Sequence, residues 1–245
     1  MYNYKLTIQY DGTRYRGWQI QGNTNQTIQG KLEDVWSRLA GEPVEVHGSG
    51  RTDAGVHAFG QVANGKLSRP VDPVWLLNAL NRYLPADIGV IAAEPVPERF
   101  HARLNARSKT YRYRIWNSPI PNVLERQYLH QIPQPLDVRA MEQAASYLIG
   151  TQDFRSFCGL KRFKKSTVRT ITAVTITQHG ADLRMEFTGT GFLMRMVRIL
   201  AGTLVEVGLG QRDADTLPNI IAAQDRAAAG PALPAQGLML MNVTY

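Results

Sequence analysis

His47-Gly48-Ser49-Gly50-Arg51-Thr52-Asp53-Ala54-Gly55-Val56-His57-Ala58 joins two stretches that read as strands, 43–49 and 57–67. Three glycines fall within residues 48–55. A backbone so composed takes shapes closed to other residues and can approach a ligand closely. Arg51 and Asp53 stand two residues apart, a spacing that puts both on one side of an extended segment. The same residues also read as a structural turn carrying a local surface ion pair, worth ~0–1 kcal/mol. The glycine spacing fits neither the Walker nor the dinucleotide-binding pattern.

The flanks alternate between strand and helix periods. Residues 4–10 alternate apolar and polar, and Asp11-Gly12-Thr13 breaks that strand as a turn. A helix is expected over about 27–40, with Ile28, Leu32, Val35, Trp36 and Leu39 on one face. A second helix is expected to start at Asp72-Pro73, an N-cap followed by proline, and to carry Trp75, Leu76, Ala79, Leu80 and Tyr83. A strand at 87–95 closes this half. The second half reads as a strand at 107–116, a proline-rich connection at 117–136 and a helix from Asp137 to about Ile149. Strands at 167–177 and 181–189 follow, joined by a turn at His179-Gly180. Helices at 192–207 and 213–224 and a strand at 238–245 complete it. The pattern predicts two α+β domains, 1–104 and 105–245.

Composition narrows the partner class. Across 245 residues, 28 Lys+Arg against 20 Asp+Glu give a formal charge of +8, and the sequence pI is about 9.7. That balance favours an anionic partner, most commonly nucleic acid. The single cysteine, Cys158, excludes an intrachain disulfide and fits a reducing compartment. The five histidines are scattered, and no zinc spacing occurs, so no metal is expected. No apolar run approaches the ~18–20 residues of a membrane span. The N-terminus enters a strand pattern directly and is expected to carry no signal peptide. A cytoplasmic protein is expected.

Two further segments carry chemistry. The apolar stretch 192–207 reads as a buried helix, with Arg198 enclosed by Met196, Val197, Ile199 and Leu200. A buried arginine needs a carboxylate, because an unpaired buried charge costs several kcal/mol (about 3–5). Asp53, Glu186, Glu206 or another acid can serve, or the side chain snorkels outward. Arg195, one turn back, is an alternative for the buried position. In Lys109-Thr110-Tyr111-Arg112-Tyr113-Arg114-Ile115-Trp116, Tyr111, Tyr113 and Ile115 face one way and Arg112, Arg114 and Trp116 the other. One face can stack a base and the other track phosphate, as RNA-binding sheets do, although an aromatic core face with a solvated basic face has the same pattern. Arg14 and Arg16 flank Tyr15, with Trp18 nearby, and Lys161, Arg162, Lys164 and Lys165 bracket Phe163. Such residues are candidate RNA-backbone contacts, supplying affinity that falls with salt.

Together these segments resemble the TruA family of tRNA pseudouridine synthases. The resemblance runs in order through Tyr10-Asp11-Gly12-Thr13, Gly17-Trp18-Gln19 and Gly50-Arg51-Thr52-Asp53-Ala54-Gly55-Val56-His57-Ala58. It continues through Arg107-Ser108-Lys109-Thr110-Tyr111-Arg112-Tyr113 and Met196-Val197-Arg198 to Gly237-Leu238. Residues 194 and 195 fall in a variable part of the family's motif, which favours Arg198 over Arg195. The resemblance implies a pseudouridine-synthase fold of two α+β domains, with mixed or antiparallel sheets flanking a basic cleft. It implies isomerisation of uridines 38, 39 and 40 in the tRNA anticodon arm by a homodimer that uses neither cofactor nor metal. Asp53 would be the essential aspartate, Arg198 its ion-pair partner and Tyr111 the ring against the target base. Arg51 would help admit the flipped nucleotide, and Leu238 would wall the pocket.

The chemistry suits these residue types. Uracil must leave C1′ of the ribose, turn and rejoin through C5. A carboxylate can attack as a nucleophile or stabilise positive charge at the sugar. A tyrosine offers a flat face for the detached base and a hydroxyl near the C5 proton. The target must first be unstacked and extruded. Two other classes remain on the sequence: a non-catalytic RNA binder on the same fold, and a small-molecule enzyme with a phosphate-binding glycine loop.

Overall fold

The computed structural model describes residues 1–160 and 165–245. In chain order the elements are β1 (Tyr2–Tyr10), α1 (Ile28–Ala40), β2 (Val46–Gly48), β3 (His57–Leu67), α2 (Pro73–Tyr83) and β4 (Ile88–Val96). They continue as β5 (Ser108–Asn117), β6 (His130–Ile132), α3 (Val138–Ser146), β7 (Gly150–Asp153), β8 (Val168–His179) and β9 (Asp182–Gly189). The last are α4 (Met196–Gly208), α5 (Leu217–Ala223) and β10 (Leu238–Thr244). They form two compact α+β units, Met1–Arg107 with Met239–Tyr245, and Ser108–Leu238. The sequence expectation gave 105–245 to the second domain. The first unit instead runs to Arg107 and takes back the last seven residues, because β10 pairs in parallel with β3. That pairing is non-local and leaves no mark on local periodicity.

In the first unit the strand order is β4-β1-β3-β10, with β2 alongside β3. All pairs are antiparallel except β10 with β3. Tyr4, Leu6, Ile8 and Tyr10 alternate into the core, as the period-two pattern requires. α1 starts where the Thr27 hydroxyl accepts from the Gly30 N–H, and ends at Gly41 with φ +70°. Ile28, Leu32, Val35 and Trp36 are buried along its inner face. α2 starts at the Asp72 carboxylate, which accepts from the Trp75 N–H at 2.8 Å, with Pro73 in the first turn. Only Leu76 and Leu80 of α2 are buried; Trp75 and Tyr83 are exposed. The strand expected over 43–49 is confined to three residues.

In the second unit the order is β5-β9-β8-β7, antiparallel throughout, with β6 added parallel to β5. β6 lies inside the stretch expected to be a connection, and β7 follows α3 in a stretch for which no element was expected. Gly180, with φ +59°, supplies the left-handed turn between β8 and β9. Tyr113, Ile115, Leu183, Met185 and Phe187 fill the core beneath α3 and α4. The connection after β5 is tethered by side chains. Arg114 bonds Glu125 at 3.0 Å and Asp182 at 3.0 Å, and the Trp116 indole donates to the Ile120 carbonyl at 2.7 Å.

Candidate active-site loop and its companion residues

Backbone contacts to the first unit's core hold the loop around Asp53. The Thr52 carbonyl accepts from the Trp18 N–H at 3.1 Å, and the Gly55 N–H donates to the Tyr15 carbonyl at 3.3 Å. The buried Thr52 hydroxyl shares a 2.8 Å hydrogen bond with the Tyr10 hydroxyl, whose pKa burial pushes up to about 12. Gln61, wholly buried, accepts from the Ser49 hydroxyl at 2.7 Å and donates to the Gly50 carbonyl at 3.0 Å. Two glycines outside the loop permit this closeness. A Cβ on Gly12 would stand 2.0 Å from the Val56 carbonyl oxygen. Gly17 has φ +95°, and a Cβ there would stand 2.6 Å from the Thr52 carbonyl oxygen. His57, buried at the loop's end, accepts from the Gly12 N–H through Nδ1 at 3.0 Å.

Asp53 is half-buried and Arg51 exposed. The Arg51 Nε donates to Gln19 Oε1 at 3.0 Å, and Gln19 donates in turn to Gln29 Oε1 at 2.7 Å. Arg51 thus engages Gln19. Sequence reading gave no role to Tyr10, Ser49 or Gln61. The available signal was Gln61, a polar residue in a strand otherwise buried nearly end to end.

In the second unit Tyr111 stands on β5, almost fully buried, with the Phe192 ring edge-on at 5.2 Å between centroids. Its neighbour Tyr113 is core, and its hydroxyl donates to the Pro234 carbonyl at 2.7 Å. Burial pushes the Tyr113 hydroxyl far above the usual tyrosine range, with the nearby Arg198 guanidinium pulling the other way. The opposite face of β5 does not present free cations. Arg112 pairs with Glu186 at 2.6 Å, and Arg114 with Glu125 and Asp182. Of the two readings of this strand, an aromatic core face backed by a charged outer face fits better, because Arg112 and Arg114 are spent on ion pairs with Glu186, Asp182 and Glu125.

The helix expected over 192–207 begins only at Met196, because Arg195 takes a left-handed φ of +59°. Arg195 is exposed and precedes the helix, so it is not the buried arginine. Arg198 is in the first turn of α4 and half-buried rather than fully enclosed. Its Nε donates to the Leu233 carbonyl at 2.6 Å, and the Leu233 N–H donates back to the Arg198 carbonyl at 3.1 Å. Glu186 and Glu206, the other acids considered for it, hold Arg112 and Arg212. Leu238 is buried, and the preceding Gly237 lies against the Tyr113 ring, where a Cβ would be 2.6 Å away. The 233–238 segment thus gathers Arg198, Tyr113 and Leu238 within this unit.

Of the candidate RNA contacts, Arg14 is exposed but paired with Asp87 at 2.7 Å, and Arg16 and Lys165 are exposed. Lys161, Arg162 and Lys164 lie outside the described residues, as does Phe163. Tyr15 and Trp18 are core residues rather than stacking platforms. Among the described residues no group of three or more His, Cys, Asp or Glu could hold a metal, and no helix is long and apolar enough to cross a membrane.

Comparison with known proteins gives one consistent result. The model of a family described as tRNA pseudouridine synthase matches residues 6–105 and 144–245, well over half the chain. A Bacillus cereus protein named tRNA pseudouridine synthase A 2 is 44% identical over 245 residues, all of both chains. A tRNA pseudouridine synthase A of Bacillus sp. strain KSM-64 is 46% identical over the same span. One from Halalkalibacterium halodurans is 47% identical over 237 residues, 96% of this chain and 89% of the relative. This chain belongs to the tRNA pseudouridine synthase family.

Proposed function

We propose that the protein is an isomerase that converts uridine to pseudouridine at positions 38, 39 and 40 of the tRNA anticodon arm, with Asp53 as its catalytic carboxylate. The observation that carries this reading is the Asp53 loop, locked by glycines in a chain similar to tRNA pseudouridine synthases along its length. A carboxylate whose backbone is fixed from both sides is preorganised for attack or for stabilising charge at the sugar.

Arg198 is the proposed ion-pair partner of Asp53. The engagement of Glu186 and Glu206 by other arginines supports this choice. Tyr111, held edge-on by Phe192, is the proposed platform for the detached uracil, and Leu238 the apolar wall. Arg51, exposed and two residues from Asp53, is the proposed contact for the flipped nucleotide. Arg14, Arg16 and Lys165, with Lys161, Arg162 and Lys164, would contact the RNA backbone. A cytoplasmic homodimer acting on one tRNA across both subunits completes the proposal.

Incubation with unmodified tRNA transcripts, followed by pseudouridine mapping, tests the reading. Product is expected at 38, 39 and 40 and nowhere else. Stable tRNA binding with no product would leave an RNA-binding protein without the isomerase activity.

A further inference from the structure

The second unit contains a cavity of about 380 Å³ lined by more cationic than anionic side chains. Arg155, Arg195 and Arg226 line it, with Gln224, against one carboxylate, Asp225. Asp225 accepts from the Ala227 N–H at 3.0 Å and, as a single carboxylate, leaves the lining net cationic. Arg226 uses one of its five N–H groups on the Ala229 carbonyl, at 3.1 Å, which fixes the guanidinium plane and leaves the others available. Gly159 gives Arg195 its path. Any Cβ at 159 would stand 3.0 Å from Arg195 Cδ, and the Gly159 N–H is pinned to the Met194 carbonyl at 2.9 Å.

Both non-glycine residues with left-handed φ among those described, Arg195 at +59° and Gln224 at +49°, line this one cavity. That conformation is unfavourable for residues with a Cβ, and such outliers concentrate at functional sites. The Arg195 and Arg226 guanidiniums face one space, where an anion between them offsets their mutual repulsion. Their planar forks match phosphate oxygens in pairs. We infer that this cavity is a phosphate-binding subsite that holds a backbone phosphodiester of the tRNA substrate. The inference rests on the tRNA reading above and adds a subsite, removed in sequence from Asp53, for positioning the RNA.

The test uses the full chain and its variants Arg195→Gln, Arg226→Gln and Arg195→Gly, with tRNA binding measured across a KCl series. Each variant is expected to lose several-fold in affinity near physiological salt, and the slope of log K against log salt to shrink by about 1 per lost contact. Arg195→Gly discriminates further. Relieving the left-handed φ should leave the unfolding temperature unchanged or raised while tRNA affinity falls, a combination that a purely structural arginine would not give. Inorganic phosphate should compete with tRNA on the wild type and lose that competition in the Gln variants. Wild-type slopes in all three variants would overturn the inference. Phosphate that binds without displacing tRNA would also overturn it, in favour of a site for free phosphate. A wild type that makes no pseudouridine but shows these slope changes would refute the isomerase reading and leave the phosphate subsite standing.

Discussion

Gly12 and Gly17 fix the position of Asp53 although neither belongs to its loop. Each stands where a Cβ would overlap a carbonyl oxygen of the 52–56 backbone, and Gly17 needs a left-handed φ as well. Gly12→Ala and Gly17→Ala should each destabilise the protein by about 2–4 kcal/mol and depress turnover, as read by thermal unfolding and a pseudouridine assay. Turnover and stability at wild-type levels would mean that the loop tolerates displacement. Arg198 makes a second prediction at this scale. Arg198→Met should lower kcat by about 10²–10³-fold and change tRNA affinity far less, if the guanidinium acts on charge in the transition state. The sequence singled out the loop of Asp53, because its motif is local and dense in glycine, but only the family resemblance gave Asp53 a catalytic role over a structural turn. It placed Gly12 and Gly17 in the ordered motif but could not say what they approach. It could not separate Arg195 from Arg198 by physics either, since the left-handed φ that ends the helix at Met196 has no signature in apolar periodicity.

At the scale of elements, most strands and helices were legible from period and caps. The failures share a cause. β6 and β7 are short strands specified by the strands they pair with rather than by their own pattern. Likewise the basic face of β5 looked available for phosphate because its partners, Glu186 and Asp182, lie on another strand. The Arg114 cluster yields a pH prediction. Glu125 is held below the usual carboxylate range chiefly by the Arg114 hydrogen bond. For Asp182 burial pushes upward, but hydrogen bonds from Arg184 and Arg114 outweigh it and lower the pKa. Both folded-state values lie below the unfolded ones, 4.5 and 3.8, so the stabilisation is full above that range and is lost as pH falls through the folded values. Arg114→Met should therefore unfold at a lower temperature than wild type at neutral pH, with the gap closing below about pH 4.5. A gap that is unchanged at pH 3 would mean that the arginine acts through packing alone.

For the whole molecule, charge pointed to an anionic partner and the ordered motifs to a tRNA-modifying family, which full-length similarity at 44–47% identity bears out. The return of the C-terminal strand to the first unit was not legible, because β-pairing across the length of the chain depends on register rather than on local pattern. The basic balance of +8 also implies tRNA affinity that falls steeply with salt. The central claim is that Asp53 performs the chemistry, and single-turnover conversion of saturating, unmodified tRNA by Asp53→Asn measures it most directly. Pseudouridine formation should fall by about four orders of magnitude or more while the variant still binds tRNA with near wild-type affinity. Product formed at the wild-type rate would contradict it and move the chemistry to another residue.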